Sequence, residues 1–146
     1  MSRVIDAKQK KVSSFRDYND FVKQIEVDDL RIVSAQVNLL DYSYFPSSAE
    51  VKWKMRASYE KAEGQFSVSH RYNVTILDKE TNEDKAKISV TFFVVYSSKI
   101  PISDDFFEIF KVRNLPLNTW PYFREFVHNV IMRMGWPPFI APTYVV

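Results

Sequence analysis

Four successive stretches between residues 32 and 96 alternate apolar with polar side chains, and that repetition confines the chain to a fold built on an antiparallel sheet. The first opens at Ile32, with Val33, Ala35, Val37 and Leu39 alternating with Ser34, Gln36 and Asn38. The second sets Val51, Trp53, Met55, Ala57 and Tyr59 against Lys52, Lys54, Arg56 and Ser58. The third sets Phe66, Val68, Tyr72, Val74 and Ile76 against Ser67, Ser69, Arg71 and Thr75, and Ala86, Ile88, Val90, Phe92, Val94 and Tyr96 make a fourth apolar row. Each row reads as the inner face of a half-buried strand. The links EKAEG and DKETNEDK are short and polar, which suits antiparallel hairpins, so a meander is the simplest topology. The first link, DYSYFPSSAE, is different. Tyr42, Tyr44, Phe45 and Pro46 stand where a plain loop would be polar, and the segment reads as a wall.

Helical periodicity flanks the sheet. After a capping Ser13 or Ser14, the residues Phe15, Tyr18, Phe21, Val22 and Ile25 form one stripe of a helix over residues 13–26. Ser103 is placed to cap a second helix whose first turn carries Asp104 and Asp105, where the helix dipole favours acids, with Leu115, Pro116 and Leu117 ending it. A third helix is expected over 119–134, with Thr119 as its cap, Pro121 in its first turn, and Trp120, Phe123, Val127, Val130, Ile131 and Met134 as its apolar stripe. Gly135 suits the left-handed position after the last turn, and Pro137 forbids continuation. The expected fold is α+β: one N-terminal helix, a four-stranded antiparallel sheet and two C-terminal helices, in one domain spanning residues 1–146, with residues 1–12 frayed.

Composition excludes several classes of function. With no cysteine there is no disulfide scaffold, thiol nucleophile or cysteine zinc site, which agrees with a reducing cytoplasm. The longest apolar run, FFVVY at 92–96, is too short to span a bilayer, and no apolar leader follows the basic N-terminus. Two glycines leave no phosphate-cradling loop. His70 and His128 belong to no triad or metal-ligand spacing, and adjacent Asp104 and Asp105 point about 100° apart on a helix. The sequence therefore reads as a non-enzyme without cofactor or metal. A net charge of +2 is weak steering toward nucleic acid. Lys52, Lys54, Arg56 and Arg71 do share one polar strand face, but Trp53, Tyr59 and Tyr72 point the other way, so rings and cations do not converge as single-strand binding requires. That face is either solvated or the docking site of a protein partner.

The informative aromatics lie outside regular structure: Tyr42, Tyr44 and Phe45 in the first link, and Trp136, Phe139 and Tyr144 in a tail with Pro137, Pro138 and Pro142. Proline fixes φ and holds such segments without collapse. Either both segments cap the core, or they wall an apolar groove for extended polypeptide. In the second case each buried large side chain contributes about 1.5–3 kcal/mol, while ordering the client costs at least about 2–5 kcal/mol. Useful affinity then needs several grooves on one oligomer acting on one long chain.

The segment WPYFREFVHNVIMRMGWPPFIAP resembles the SecB family of protein-export chaperones, in its aromatic residue before Pro-Tyr, its Arg-Glu pair, and its helical run ending in glycine, an apolar residue and prolines. With the sheet and the Pro-containing crossover, the resemblance spans residues 28–144. It implies a dimer of dimers, a homotetramer that holds unfolded or precursor polypeptides in apolar grooves without ATP for protein export through the Sec translocase. It implies groove-lining roles for Tyr42, Tyr44, Phe45, Pro46, Trp53, Trp120, Trp136, Pro137, Pro138, Phe139 and Ile140, and structural roles for Arg124 and Glu125. Three departures stand out. The chain stops at Val146 where the family continues into a further helix. The sheet face carries Lys52, Lys54, Arg56 and Arg71 where the family offers acids to the translocase motor. The helix over 13–26 is an addition similar to those of SecB-like chaperones dedicated to toxin–antitoxin systems. The alternatives are such a dedicated chaperone, an adaptor docking a folded partner on its basic face, and a carrier of a small molecule or lipid.

Overall fold

The computed structural model describes residues 16–137. The expected fraying of residues 1–12, the caps Ser13 and Ser14, Phe15, and the tail residues Pro138, Phe139, Ile140, Pro142 and Tyr144 lie outside these described residues.

The element order follows the periodicities. Helix α1 occupies residues 16–23. Strands β1 (Glu26–Leu39), β2 (Ala49–Ala62), β3 (Gln65–Asp78) and β4 (Asp84–Ser97) follow, then α2 (Asp104–Arg113) and α3 (Leu115–Arg133). All strand pairs are antiparallel, in the order β1-β4-β3-β2. Strands β2, β3 and β4 form the meander that their short polar links dictate. Gly64 takes φ +71° in the first hairpin and Asn82 takes φ 59° in the second. Strand β1 does not pair with β2. It lies beside β4, so the link from β1 to β2 runs from one edge of the sheet to the other. The centre goes to the strands with the most apolar rows: in β4 Ala86, Ile88, Val90, Phe92, Val94 and Tyr96 are each at most 1% exposed.

The helices cover one face in two clusters. Under α3, Trp120, Phe123, Val127 and Ile131 pack on Tyr72, Val74, Ile88 and Phe92, with Tyr72 and Phe123 stacked at 4.1 Å. Under α1 and α2, Tyr18, Phe21, Phe107 and Phe110 pack on Phe66, Val68, Val94 and Tyr96. Ser103 caps α2 as expected, accepting from the Phe106 amide, and Tyr59 donates to Asp104 in its first turn.

The start of α3 corrects the sequence reading. The helix begins at Leu115, with Asn114 as N-cap and Pro116 in the first turn, so Pro121 is internal. Thr119 is no cap. It is fully buried between the two clusters, where His70 Nδ1 lies 2.9 Å and the Tyr72 hydroxyl 2.7 Å from its Oγ1. Its own hydroxyl donates to the Leu115 carbonyl at 3.3 Å, leaving its lone pairs to accept from His70 and Tyr72. Burial pushes the His70 imidazole down to about 4, so the ring is neutral at pH 7. Gly135 takes φ +77° after the last turn, as its position required.

Strand β1 also differs from expectation. Bulges between Val27 and Asp29 and between Ile32 and Ser34 interrupt its pairing, and Ile32, Val33 and Val37 remain 46%, 54% and 42% exposed. Helix α3 reaches only part of its inner row: Leu30 and Leu39 pack against the core and Ile32 borders Tyr122 and Phe126, while Val37 stays exposed.

Candidate functional site

The crossover over residues 40–48 is held as a wall by polar contacts at both ends. At its start the Leu40 amide donates to the Lys85 carbonyl at 2.9 Å, and the Lys85 ammonium bridges Asp41 and Glu83, each at 3.2 Å. Hydrogen bonds to Asp41 and then Glu83 hold Lys85 above its ordinary pKa, and its charge lies 5.1 Å from the centre of the Tyr44 ring. At the far end Asp78 accepts from Thr81, Ser48 and Tyr44 at 3.1–3.3 Å. Burial works to raise the Asp78 pKa, but the hydrogen bonds from Thr81, Ser48 and Tyr44 outweigh it and hold the carboxyl below the usual range.

The C-terminal end of α3 meets this wall. Trp136, 7% exposed, donates its indole N–H to the Tyr44 carbonyl at 3.2 Å, and the two rings meet edge-on at 6.0 Å. Pro46, Ser48, Val51, Ile76, Ile131, Trp136 and Pro137 enclose a cavity of about 440 Å³. Of the residues implied to line a groove, Tyr44, Pro46, Trp136 and Pro137 are thus brought together from opposite ends of the sequence. Phe45 projects beside them, 63% exposed, and Tyr42 stands out in solvent at 90%. Pro138, Phe139 and Ile140 are outside the described residues.

From the cavity an apolar row continues along the inner face of β2. Val51 lines the cavity, and Trp53 and Met55 follow at two-residue spacing, 39% and 43% exposed. Trp53 stands edge-on to Trp120 at 4.8 Å, and Trp120 is itself buried to 5%. Trp120 is therefore a core residue that holds Trp53 in place. Met55 then borders a second hollow of about 420 Å³, with Ala57, His70, Lys111 and the exposed Val112. The row exists because β2 is an edge strand: α3 covers β3 and β4, and the inner face of β2 extends past it.

Sequence reasoning missed Met55 and Val112, which it assigned to core rows or left unremarked. The alternation Val51, Trp53, Met55 carried the signal for the first, and nothing local distinguished the second. Asp78, Asp41 and Lys85 were missed because hairpin and link acids look alike until the crossover is folded against them. The four cations fall where strand alternation put them. Lys52, Lys54, Arg56 and Arg71 are all exposed on the face that none of the described helices covers, and Arg56 lies directly opposite Arg71. Among the described residues no group of three or more His, Asp or Glu side chains is placed to hold a metal, and no helix is long and apolar enough to cross a membrane.

By sequence the chain matches no protein-family model and no curated protein. By structure it is similar to a SecB-like chaperone of Mycobacterium tuberculosis, solved in complex with a ChAD peptide from the HigA1 antitoxin. The TM-score is 0.74 at 13% identity, covering 86% of this chain and 94% of that one. A protein of unknown function from Streptococcus agalactiae, 10% identical, aligns over 82% of this chain and 98% of that one at a TM-score of 0.44, too low to carry an argument. The fold of this chain is SecB-like.

Proposed function

We propose that this SecB-like chain is an ATP-independent chaperone that holds unfolded polypeptide along β2. The observation that carries the reading is the apolar row Val51, Trp53 and Met55, partly buried at Val51 and exposed at Trp53 and Met55, which joins the Pro46–Trp136 cavity to the hollow at Val112. A contiguous apolar strip rimmed by polar residues is what a soluble chain keeps exposed for a polypeptide partner. Burying three or four client side chains there contributes about 8 kcal/mol before ordering costs of about 2–5 kcal/mol, so one groove gives micromolar affinity at best. Holding a long client therefore calls for several copies acting together.

Strand β1 supports such assembly. Its charge-free run from Ile32 to Leu39 is an edge left unpaired among the described residues, which a second copy would cover, giving a dimer and, through further contacts, a homotetramer. The cysteine-free composition agrees with work in the cytoplasm.

A dedicated client is favoured over general export. The basic sheet face has the wrong sign for the acidic docking surface that export would use, and the M. tuberculosis neighbour was solved with an antitoxin peptide.

The test is suppression of aggregation of a reduced, unfolded client. Trp53→Glu, Met55→Glu and Phe45→Asp should each abolish holding while circular dichroism shows the fold retained. If all three folded variants protect the client as well as the parent, the groove reading fails and an adaptor role through the basic face replaces it.

A further inference from the structure

Among the described residues β1 and β2 leave the two edges of the sheet unpaired, and these edges differ in kind. From Ile32 to Leu39, β1 carries no charged residue, whereas β2 alternates Val51, Trp53 and Met55 on one face with Lys52, Lys54 and Arg56 on the other. Arg71 faces Arg56 in register on that second face, a like-charge pairing that costs stability. Among the described residues none of the four cations enters an ion pair, although Glu50 and Glu60 stand at the two ends of the β2 row. Lys52, Lys54 and Arg56 thus form a line without ion pairs on one face of β2, and Trp53 and Met55 stay exposed on the other, on a strand of 14 residues whose outer backbone edge is unpaired among the described residues.

Resting on the polypeptide-holding reading, we infer that the client segment joins the outer edge of β2 as an added strand in which large apolar residues alternate with Asp or Glu. An added strand repeats every two residues, about 7 Å, the spacing of Trp53 and Met55 on one face and of Lys52, Lys54 and Arg56 on the other. Its apolar side chains meet the first row while its carboxylates meet the second. A helix, with its period of about 3.6, cannot match both rows together. A second copy is a poor occupant, because β2 against β2 brings cation rows side by side; the charge-free edge of β1 suits that role. Nucleic acid would satisfy the cations but leave Trp53 and Met55, on the opposite face, without a partner.

Fluorescence anisotropy on the full chain tests this with labelled peptides of about nine residues: alternating Leu-Glu, the same composition in blocks, and alternating Leu-Lys. The alternating acidic peptide should bind at least about tenfold more tightly than either control, and weaken as salt rises from about 0.05 to about 0.5 M. The triple variant Lys52→Glu, Lys54→Glu, Arg56→Glu should prefer the Leu-Lys peptide, and Met55→Glu should weaken both. N-methylation of alternate backbone nitrogens should abolish binding in one of the two possible sets, because only one peptide edge pairs with β2. Equal affinity for the three peptides, unchanged preference in the triple variant, parental binding by both N-methylated sets, or displacement by oligothymidine would each overturn the inference. If no peptide binds but the unfolded client is still held, strand addition is overturned and the holding function stands; if the client is not held either, both fall.

Discussion

The Trp136 indole donates to the Tyr44 carbonyl at 3.2 Å, a hydrogen bond between residues 92 positions apart that closes the end of α3 onto the crossover. It is the fastening between the two segments that wall the larger cavity. Replacing Trp136 with Ala should cost about 3 kcal/mol in urea unfolding, since the side chain is buried and its removal leaves a void. Trp136→Phe keeps a ring but not the N–H, and should cost about 1–2 kcal/mol. A loss under 1 kcal/mol for the Ala variant would mean that the fastening is dispensable.

Thr119 offers a second stability test. As acceptor for His70 and Tyr72 it satisfies two buried polar groups at once, so Thr119→Val, nearly the same shape, should destabilise the chain by about 2–4 kcal/mol. Thr119→Ser keeps the hydroxyl and should stay within about 1 kcal/mol. Equal stabilities for the two variants would remove the network from any account of the core.

Buried His70 gives the fold a pH dependence of definite sign. Its folded pKa of about 4 lies below the ordinary value of 6.5, so above pH 6.5 both states are neutral and its full contribution is present. As pH falls from 6.5 toward 4 the unfolded chain takes up the proton first, and stability falls by an amount on the order of 3 kcal/mol. Below about 4 this contribution levels off. Chemical denaturation at pH 7 and pH 4 should show His70→Gln losing less stability than the parent by about that amount; identical losses would place the ring's titration elsewhere.

Assembly through β1 predicts a mass. Light scattering should give the parent chain a multiple of 17.2 kDa at micromolar concentration, and Val33→Lys with Val37→Lys should reduce it to the single chain. A monomeric parent would remove the avidity on which the proposed holding function depends.

The sequence by itself determined the elements and their faces, because side-chain periodicity is local. Strands two to four alternate as read, the cations and Trp53 fall on opposite faces, Ser103 caps α2 and Gly135 takes the left-handed turn. Tertiary structure decided what those faces meet. Whether an alternating row is core or surface depends on which strand lies at the edge, so the rows of β1 and β2 read like those of β3 and β4 yet are only partly covered. Thr119 reads as a cap because Thr before an apolar run usually is one; packing against His70 and Tyr72 made it a core hydroxyl instead. The crossover and the end of α3 each look like an aromatic, proline-stiffened stretch, and only the folded sheet brings Trp136 to Tyr44. That meeting is non-local: it depends on β1 and β2 taking opposite edges of the sheet, and no short window of sequence records that order.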